Sequence, residues 1–111
     1  MNVPPGSTKD SSTWRRRTKA VRSGTRRSGF GETSEAIFLT SGYAYTGPEE
    51  AEARFKGEDD GFIYSRYGNP TVAMFEERIA EIEGAPAAMA TASGMAAVSA
   101  SMLCQVRTGD H

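Results

Sequence analysis

Two short stretches of the chain carry groups suited to holding an anion. In Tyr64-Ser65-Arg66-Tyr67-Gly68-Asn69-Pro70-Thr71 an arginine lies between two tyrosines in a turn-forming context. A guanidinium presents a planar fork that matches phosphate or carboxylate, and a tyrosine hydroxyl adds a neutral donor. In Ser93-Gly94-Met95-Ala96-Ala97 a small-residue turn opens an apolar helix. The first N–H groups of a helix have no intrahelical acceptor, and the helix dipole leaves partial positive charge there. Glycine removes the Cβ that would keep an anion from the backbone, and Ser93 can cap the helix or donate its hydroxyl. Taken singly, the arginine also reads as a surface ion-pair partner and the serine–glycine pair as a plain capped turn.

One regular element joins the two stretches. Asn69 or Thr71 can cap a helix that has Pro70 at its start and Gly84 at its end. Val72, Phe75, Ile79 and Ile82, with Met74 and Ala80 beside them, recur at helical spacing and predict a buried stripe. Glu76, Glu77, Arg78, Glu81 and Glu83 fill the other face. Residues 87–92 are small or apolar and predict a buried strand. Residues 94–106 are apolar nearly all round, which predicts a helix enclosed by other layers, with Cys104 as a small core side chain. Helix, strand and enclosed helix together predict an α/β architecture whose covering sheet is not in these residues.

Upstream, the pattern is weaker. Residues 1–13 are rich in Pro, Gly, Ser and Thr and predict an unstructured tail. Residues 18–24 suit a short helix closed by Gly24. Ala36-Ile37-Phe38-Leu39-Thr40 is read as extended. Residues 48–55 predict a short helix, with Thr46 as a possible cap, acids in the first turn and Arg54 near the end. The acidic loop 57–61 lacks the ligand spacing of a calcium loop, so no metal site is expected.

The net charge of −1 hides an asymmetry: residues 1–27 hold eight Lys/Arg and one acid, residues 28–111 five and thirteen. A basic segment of this kind is expected to be solvated or docked on a partner subunit, and no nucleic-acid partner is expected. A single cysteine excludes an intrachain disulfide. No apolar run is long enough for a membrane span, and residues 1–19 lack the apolar region of a secretory signal, so a cytoplasmic location and no membrane partner are expected. No glycine-rich phosphate loop of the nucleotide-binding kinds follows a predicted strand. His111, the lone histidine, has no nucleophile or acid around it in sequence.

The stretch 64–71, followed by Phe75-Glu76-Glu77-Arg78-Ile79-Ala80-Glu81-Ile82-Glu83-Gly84, Ala92-Ser93-Gly94-Met95-Ala96-Ala97 and Gly109-Asp110-His111, closely resembles the Cys/Met-metabolism family of pyridoxal-phosphate (PLP) enzymes. Residues 18–24, 30–36 and 50–59 look most like the O-succinylhomoserine sulfhydrylases of that family. The resemblance covers about residues 14–111. It implies a fold-type I (aspartate aminotransferase-like) subunit, assembled as a dimer of dimers, of which this chain represents the opening portion. The implied division is a tail over 1–13, a dimer-contacting arm with short helices over 14–63, and the incomplete start of the large PLP-binding domain over 64–111.

The resemblance also implies roles. Tyr64 and Arg66 match the pair that reaches the cofactor phosphate of a neighbouring subunit. Gly94 and Met95, with Ser93 beside them, match the amides that hold the phosphate within the same subunit. The implied reaction replaces the succinyl ester of O-succinylhomoserine by sulfide, giving homocysteine and succinate. The family's Schiff-base lysine, and the aspartate and tyrosine that flank the cofactor ring, have no match here: Lys9, Lys19 and Lys56 do not fit the lysine's motif. The segment is therefore expected to contribute cofactor anchoring and dimer contacts but no catalytic residue. Two other readings stand beside this one: a cystathionine γ-synthase or lyase type of the same family, and a non-catalytic interaction module.

Overall fold

The longest helix starts and stops where its end residues dictate. Asn69 adopts an extended conformation and its side chain accepts a hydrogen bond from the Thr71 amide. Pro70 follows at the first helical position, where its missing N–H costs nothing. Gly84 ends the helix in the left-handed region at φ 68°, donating its amide to the Ala80 carbonyl. The structure is a computed structural model that describes residues 11–111. It contains a 3-10 turn at Ser11–Thr13 and four helices: α1 (Arg16–Arg22), α2 (Pro48–Lys56), α3 (Pro70–Glu83) and α4 (Gly94–Leu103). Most of the expected tail over 1–13 lies outside the described residues. Its last part is the 3-10 turn, and the Ser11 hydroxyl donates to the Glu81 carboxylate at 2.7 Å.

The basic segment docks on α3 of its own chain. Lys19 pairs with Glu81 at 3.0 Å, Arg16 with Glu83 at 3.5 Å and Arg26 with Glu77. Arg78 runs the opposite way, donating to the Ser23 carbonyl at 2.9 Å and pairing with Glu35. Met74, 2% exposed, is the one fully buried large side chain among the described residues, and the Arg26 amide approaches its sulfur at 3.2 Å. The face so covered is 74–77–78–81, a set at i, i+3, i+4, i+7 that mixes one methionine with charge. Of the stripe expected to be buried, Met74 and Ala80 are buried and Ile82 is half-buried, whereas Val72, Phe75 and Ile79 face outward. Val72 is 44% and Phe75 56% exposed. The reason is complementarity: an arm rich in Lys and Arg finds its ion-pair partners on the acidic side of the helix.

The short helix α2 is capped by Gly47 rather than Thr46. Thr46 still takes part: its amide and hydroxyl both donate to the Glu50 carboxylate, at 2.6 and 2.5 Å. These bonds, hydroxyl first, hold the Glu50 carboxyl below its ordinary value of 4.5, with the charge of Arg54 contributing in the same direction. Arg54 in turn binds Glu50, the Asp59 carboxylate at 3.2 Å and the Phe62 carbonyl at 3.0 Å, and lies over the Tyr45 ring. The acidic loop is thus organised around an arginine.

Two expectations are corrected. Residues 87–92 form no strand but an extended, largely exposed connection, fastened to α3 where the Ala90 amide donates to Glu76 at 2.7 Å. Strand character needs a neighbour for its backbone groups, and the described residues supply none. The expected helix–strand–helix is therefore helix, extended connection, helix. The apolar run 36–40 likewise joins no sheet among the described residues, with Leu39 96% exposed. Second, α4 is exposed along its whole length, Cys104 included. A radius of gyration of 16.9 Å, against about 13 Å for a closed domain of this length, expresses the same openness.

Candidate functional site

The 64–71 loop is built by stitching it to residues 38–43. Tyr64 forms an isolated antiparallel bridge with Gly42, and the Ser65 amide donates to the Ser41 carbonyl at 3.0 Å. The chain then turns tightly, the amides of Tyr67 and Gly68 both bonding to the Tyr64 carbonyl at 2.8 and 3.1 Å. Asn69 closes the turn. While its side-chain oxygen caps α3, its amide nitrogen donates to the Phe38 carbonyl and the Ser65 hydroxyl, each at 3.0 Å. The Phe38 amide answers by donating to the Thr71 hydroxyl at 2.9 Å.

Arg66 projects from this turn into solvent. Its guanidinium lies 5.6 Å from the Tyr64 ring centroid and 5.5 Å from that of Tyr67, and the two rings stand edge to face. No carboxylate pairs with it among the described residues. Other arginines, Arg17 and Arg22 among them, also lack an ion pair with the described residues; Arg66 is set apart by lying over two aromatic rings, where Arg26 and Arg54 lie over one each. Two aromatic faces orient a cation without neutralising it. This leaves a positive fork, held over the Tyr64 and Tyr67 rings, open to an external anion.

The second group starts at Ser93, which is extended and accepts a hydrogen bond from the Ala96 amide at 3.2 Å. That bond uses a lone pair and leaves the hydroxyl proton available to a ligand. The amides of Gly94 and Met95 are in the first turn and have no intrahelical acceptor. Gly94 has neither a positive φ nor a neighbour: a Cβ added there would meet nothing within 4 Å. Neither backbone conformation nor the chain's own packing requires glycine, so open access to the amides is the property it preserves. Arginine, phenol, hydroxyl and helix-end amides form a donor set with no acceptor charge, which fits a phosphate ester. Among the described residues no hydrogen bond, ion pair or ring contact joins the two groups.

Comparison with known proteins assigns the chain to a family. The family profile described as Cys/Met metabolism PLP-dependent enzyme matches residues 17–111. The chain belongs to that family. Its members depend on PLP, and the family's proteins are lyases and transferases of cysteine and methionine metabolism. This member is 60% identical over 94 residues to the O-succinylhomoserine sulfhydrylase of Mycobacterium tuberculosis and 54% identical to that of Pseudomonas aeruginosa. In both cases 85% of the chain aligns with 23% of the relative. It is 38% identical to L-methionine gamma-lyase of Porphyromonas gingivalis, again over 85% of the chain and 24% of the relative. The chain thus spans about a quarter of the length of the curated relatives it matches.

Among solved structures, the backbone superposes with a TM-score of 0.81 on a protein assigned as O-acetylhomoserine (thiol)-lyase of Campylobacter jejuni. Identity there is 30%, over 87% of this chain and 24% of that one, and that enzyme carries a pyridoxyl-lysine phosphate adduct. The metB product of Corynebacterium glutamicum gives 0.78 at 29% identity, covering 93% and 25%. The open arrangement of helices thus matches about a quarter of each of these two larger structures.

Sequence reasoning missed the residues that hold the loop. Asn69 was legible only as a helix cap, and nothing in the pattern marked its second set of bonds to Phe38 and Ser65. Ser65 could have been suspected from its position between two outward-pointing site residues. Tyr43, whose hydroxyl lies 3.1 Å from that of Ser65, carried no signal of its own.

Proposed function

We propose that this chain is the N-terminal segment of a PLP-dependent O-succinylhomoserine sulfhydrylase. In that enzyme sulfide displaces the succinyl ester of O-succinylhomoserine at Cγ: the C–O bond breaks, a C–S bond forms, and homocysteine and succinate leave. When bound, PLP supplies the electron sink for this chemistry. Tyr64 and Arg66 donate to the phosphate of the cofactor held by a neighbouring subunit. The amides of Gly94 and Met95, with the Ser93 hydroxyl, hold the phosphate in their own subunit. The segment contributes no group that moves a proton on the substrate. Its task is to fix the cofactor and the subunit contacts of a soluble homo-oligomer, in which the arm over 14–63 precedes the start of the large domain over 64–111.

The observation that carries this reading is the Arg66 guanidinium, oriented by two tyrosine rings and left without a carboxylate. The gap between 60% and 38% identity favours the sulfhydrylase over the lyase relatives. A hybrid enzyme tests it: the 94 matched residues of this chain replace their counterparts in the M. tuberculosis sulfhydrylase. The hybrid is expected to retain PLP through purification and to form homocysteine from O-succinylhomoserine and sulfide. Arg66→Ala in the hybrid is expected to weaken PLP binding by about a hundredfold, as befits loss of a charge-assisted phosphate contact. A folded hybrid that binds no PLP, or whose affinity ignores Arg66→Ala, refutes the reading.

A further inference from the structure

We infer that Ser65 is a positioning residue: its hydroxyl, saturated by Thr40, Tyr43 and Asn69, fixes the direction in which Tyr64 and Arg66 present their donors. The inference rests on the phosphate-binding role proposed for those two residues.

A serine hydroxyl has one proton to give and two lone pairs to offer. At Ser65 the proton goes to the Thr40 carbonyl. One lone pair takes the side-chain amide of Asn69 at 3.0 Å. The contact with the Tyr43 hydroxyl, at 3.1 Å, must then run from tyrosine to serine, because the serine proton is already committed. Every bonding position of Ser65 Oγ is used, and each partner belongs to a different anchor. Thr40 lies on the segment bridged to Tyr64. Tyr43 packs its ring on Phe62, at 5.4 Å between centroids. Asn69 is nearly buried and caps α3.

This has a directional consequence. The Ser65 amide is bonded to Ser41 as well, so both backbone and side chain of this one residue face residues 40–43. Residues 64–67 form a turn, closed by the amides of Tyr67 and Gly68 on the Tyr64 carbonyl, and Ser65 and Arg66 are its two central residues. Anchoring Ser65 on residues 40–43 fixes one central position of this turn and so the place of Arg66 at the other; Tyr64 and Arg66 are exposed while the residue between them is not. The cation–ring contacts then set the remaining freedom of the guanidinium. Without the hydroxyl, one carbonyl and two donors lose their shared partner, and the turn that aims Arg66 loses its fixed point.

A double-mutant cycle in the hybrid enzyme, read as the PLP dissociation constant, tests this. Ser65→Ala is expected to weaken PLP about tenfold when Arg66 is present and about twofold when Arg66 is already alanine, because the larger, charge-assisted share of its effect passes through Arg66 and only the weaker share through Tyr64. Ser65→Thr keeps the hydroxyl and is expected to restore most of the affinity. A Ser65→Ala effect of equal size in both backgrounds, or none with Arg66 present, overturns the inference while leaving the Arg66 result standing. Should Ser65→Ala fail to fold, Tyr43→Phe carries the same cycle. It removes one donor from the hydroxyl and keeps the ring on Phe62, and a threefold loss with Arg66 present, smaller without it, is expected.

Discussion

Replacing Gly24 by alanine isolates how the arm is seated on α3. Gly24 lies at φ +70°, a conformation that costs an L-residue about 1–2 kcal/mol. An added Cβ would also stand 2.6 Å from the Met74 carbonyl oxygen and 2.9 Å from Glu77 Cβ. The first neighbour is helix backbone and cannot rotate away, so the arm must lift. Lifting it weakens the Arg78 bond to the Ser23 carbonyl and the approach of the Arg26 amide to Met74. With about 1 kcal/mol for each hydrogen bond, the total reaches about 3 kcal/mol. Gly31 provides the control: its φ is +67°, yet a Cβ there meets nothing within 4 Å, so Gly31→Ala carries the conformational cost alone. Amide exchange of α1, followed by mass spectrometry, is expected to accelerate about a hundredfold in Gly24→Ala and about tenfold or less in Gly31→Ala. Equal effects of the two substitutions would show that the close approach to Met74 does not hold the arm.

Other perturbations test separate parts of the structure. Thr46→Val removes the hydroxyl bond that holds the Glu50 carboxyl low, so an NMR titration should find Glu50 moved up toward 4.5. A depressed carboxyl stabilises fully above 4.5 and loses that contribution as pH falls through its folded value. The acid fraying of α2 should accordingly be less pH-dependent in Thr46→Val. Ser23 is 4% exposed and its hydroxyl finds no hydrogen-bond partner among the described residues, so Ser23→Ala should leave stability unchanged or raise it by up to about 1 kcal/mol in denaturant unfolding. Gly61→Ala would put a Cβ 2.1 Å from Arg54 Nε and should expel that side chain, exposing the 57–62 loop to faster proteolysis than Gly57→Ala does. Ser93→Ala should cost α4 about 1 kcal/mol of helix stability, read as lost helical circular dichroism, whereas Ser93→Gly should cost only a few tenths.

What could be read from the sequence was local. Asn69, Pro70 and Gly84 announce both ends of α3, and Ser93 announces the start of α4, because caps depend on neighbouring backbone alone. The side of α3 that gets covered was legible only in part: Met74 and Ala80 are buried as expected, Val72, Phe75 and Ile79 are not. The periodicity of Val72, Phe75 and Ile79 measures which face would gain by burial. It does not say which partner arrives within these residues, and the partner was a cationic arm matched to Glu77 and Glu81. The expected strand failed for a related reason, since a run of small apolar residues becomes a strand only beside another. Of the site, residue types gave the donors, and the fold gave what aims them. Ser65 and Tyr43 are ordinary polar residues until residues 38–43 and 64–69 are placed side by side.

The two-sided character of α3 gives one helix opposite responses to its solvent. Its arm-facing side is held largely by partly exposed ion pairs, which chloride salts screen within a few ångströms at molar concentration. Its outward side is an apolar stripe, whose attraction to any covering surface is strengthened by excluded salts such as sulfate. Sodium chloride should therefore loosen the arm while leaving the stripe's association nearly untouched, and ammonium sulfate should favour association through the stripe. Choice of anion in a buffer thus becomes a means of addressing the faces of one helix separately.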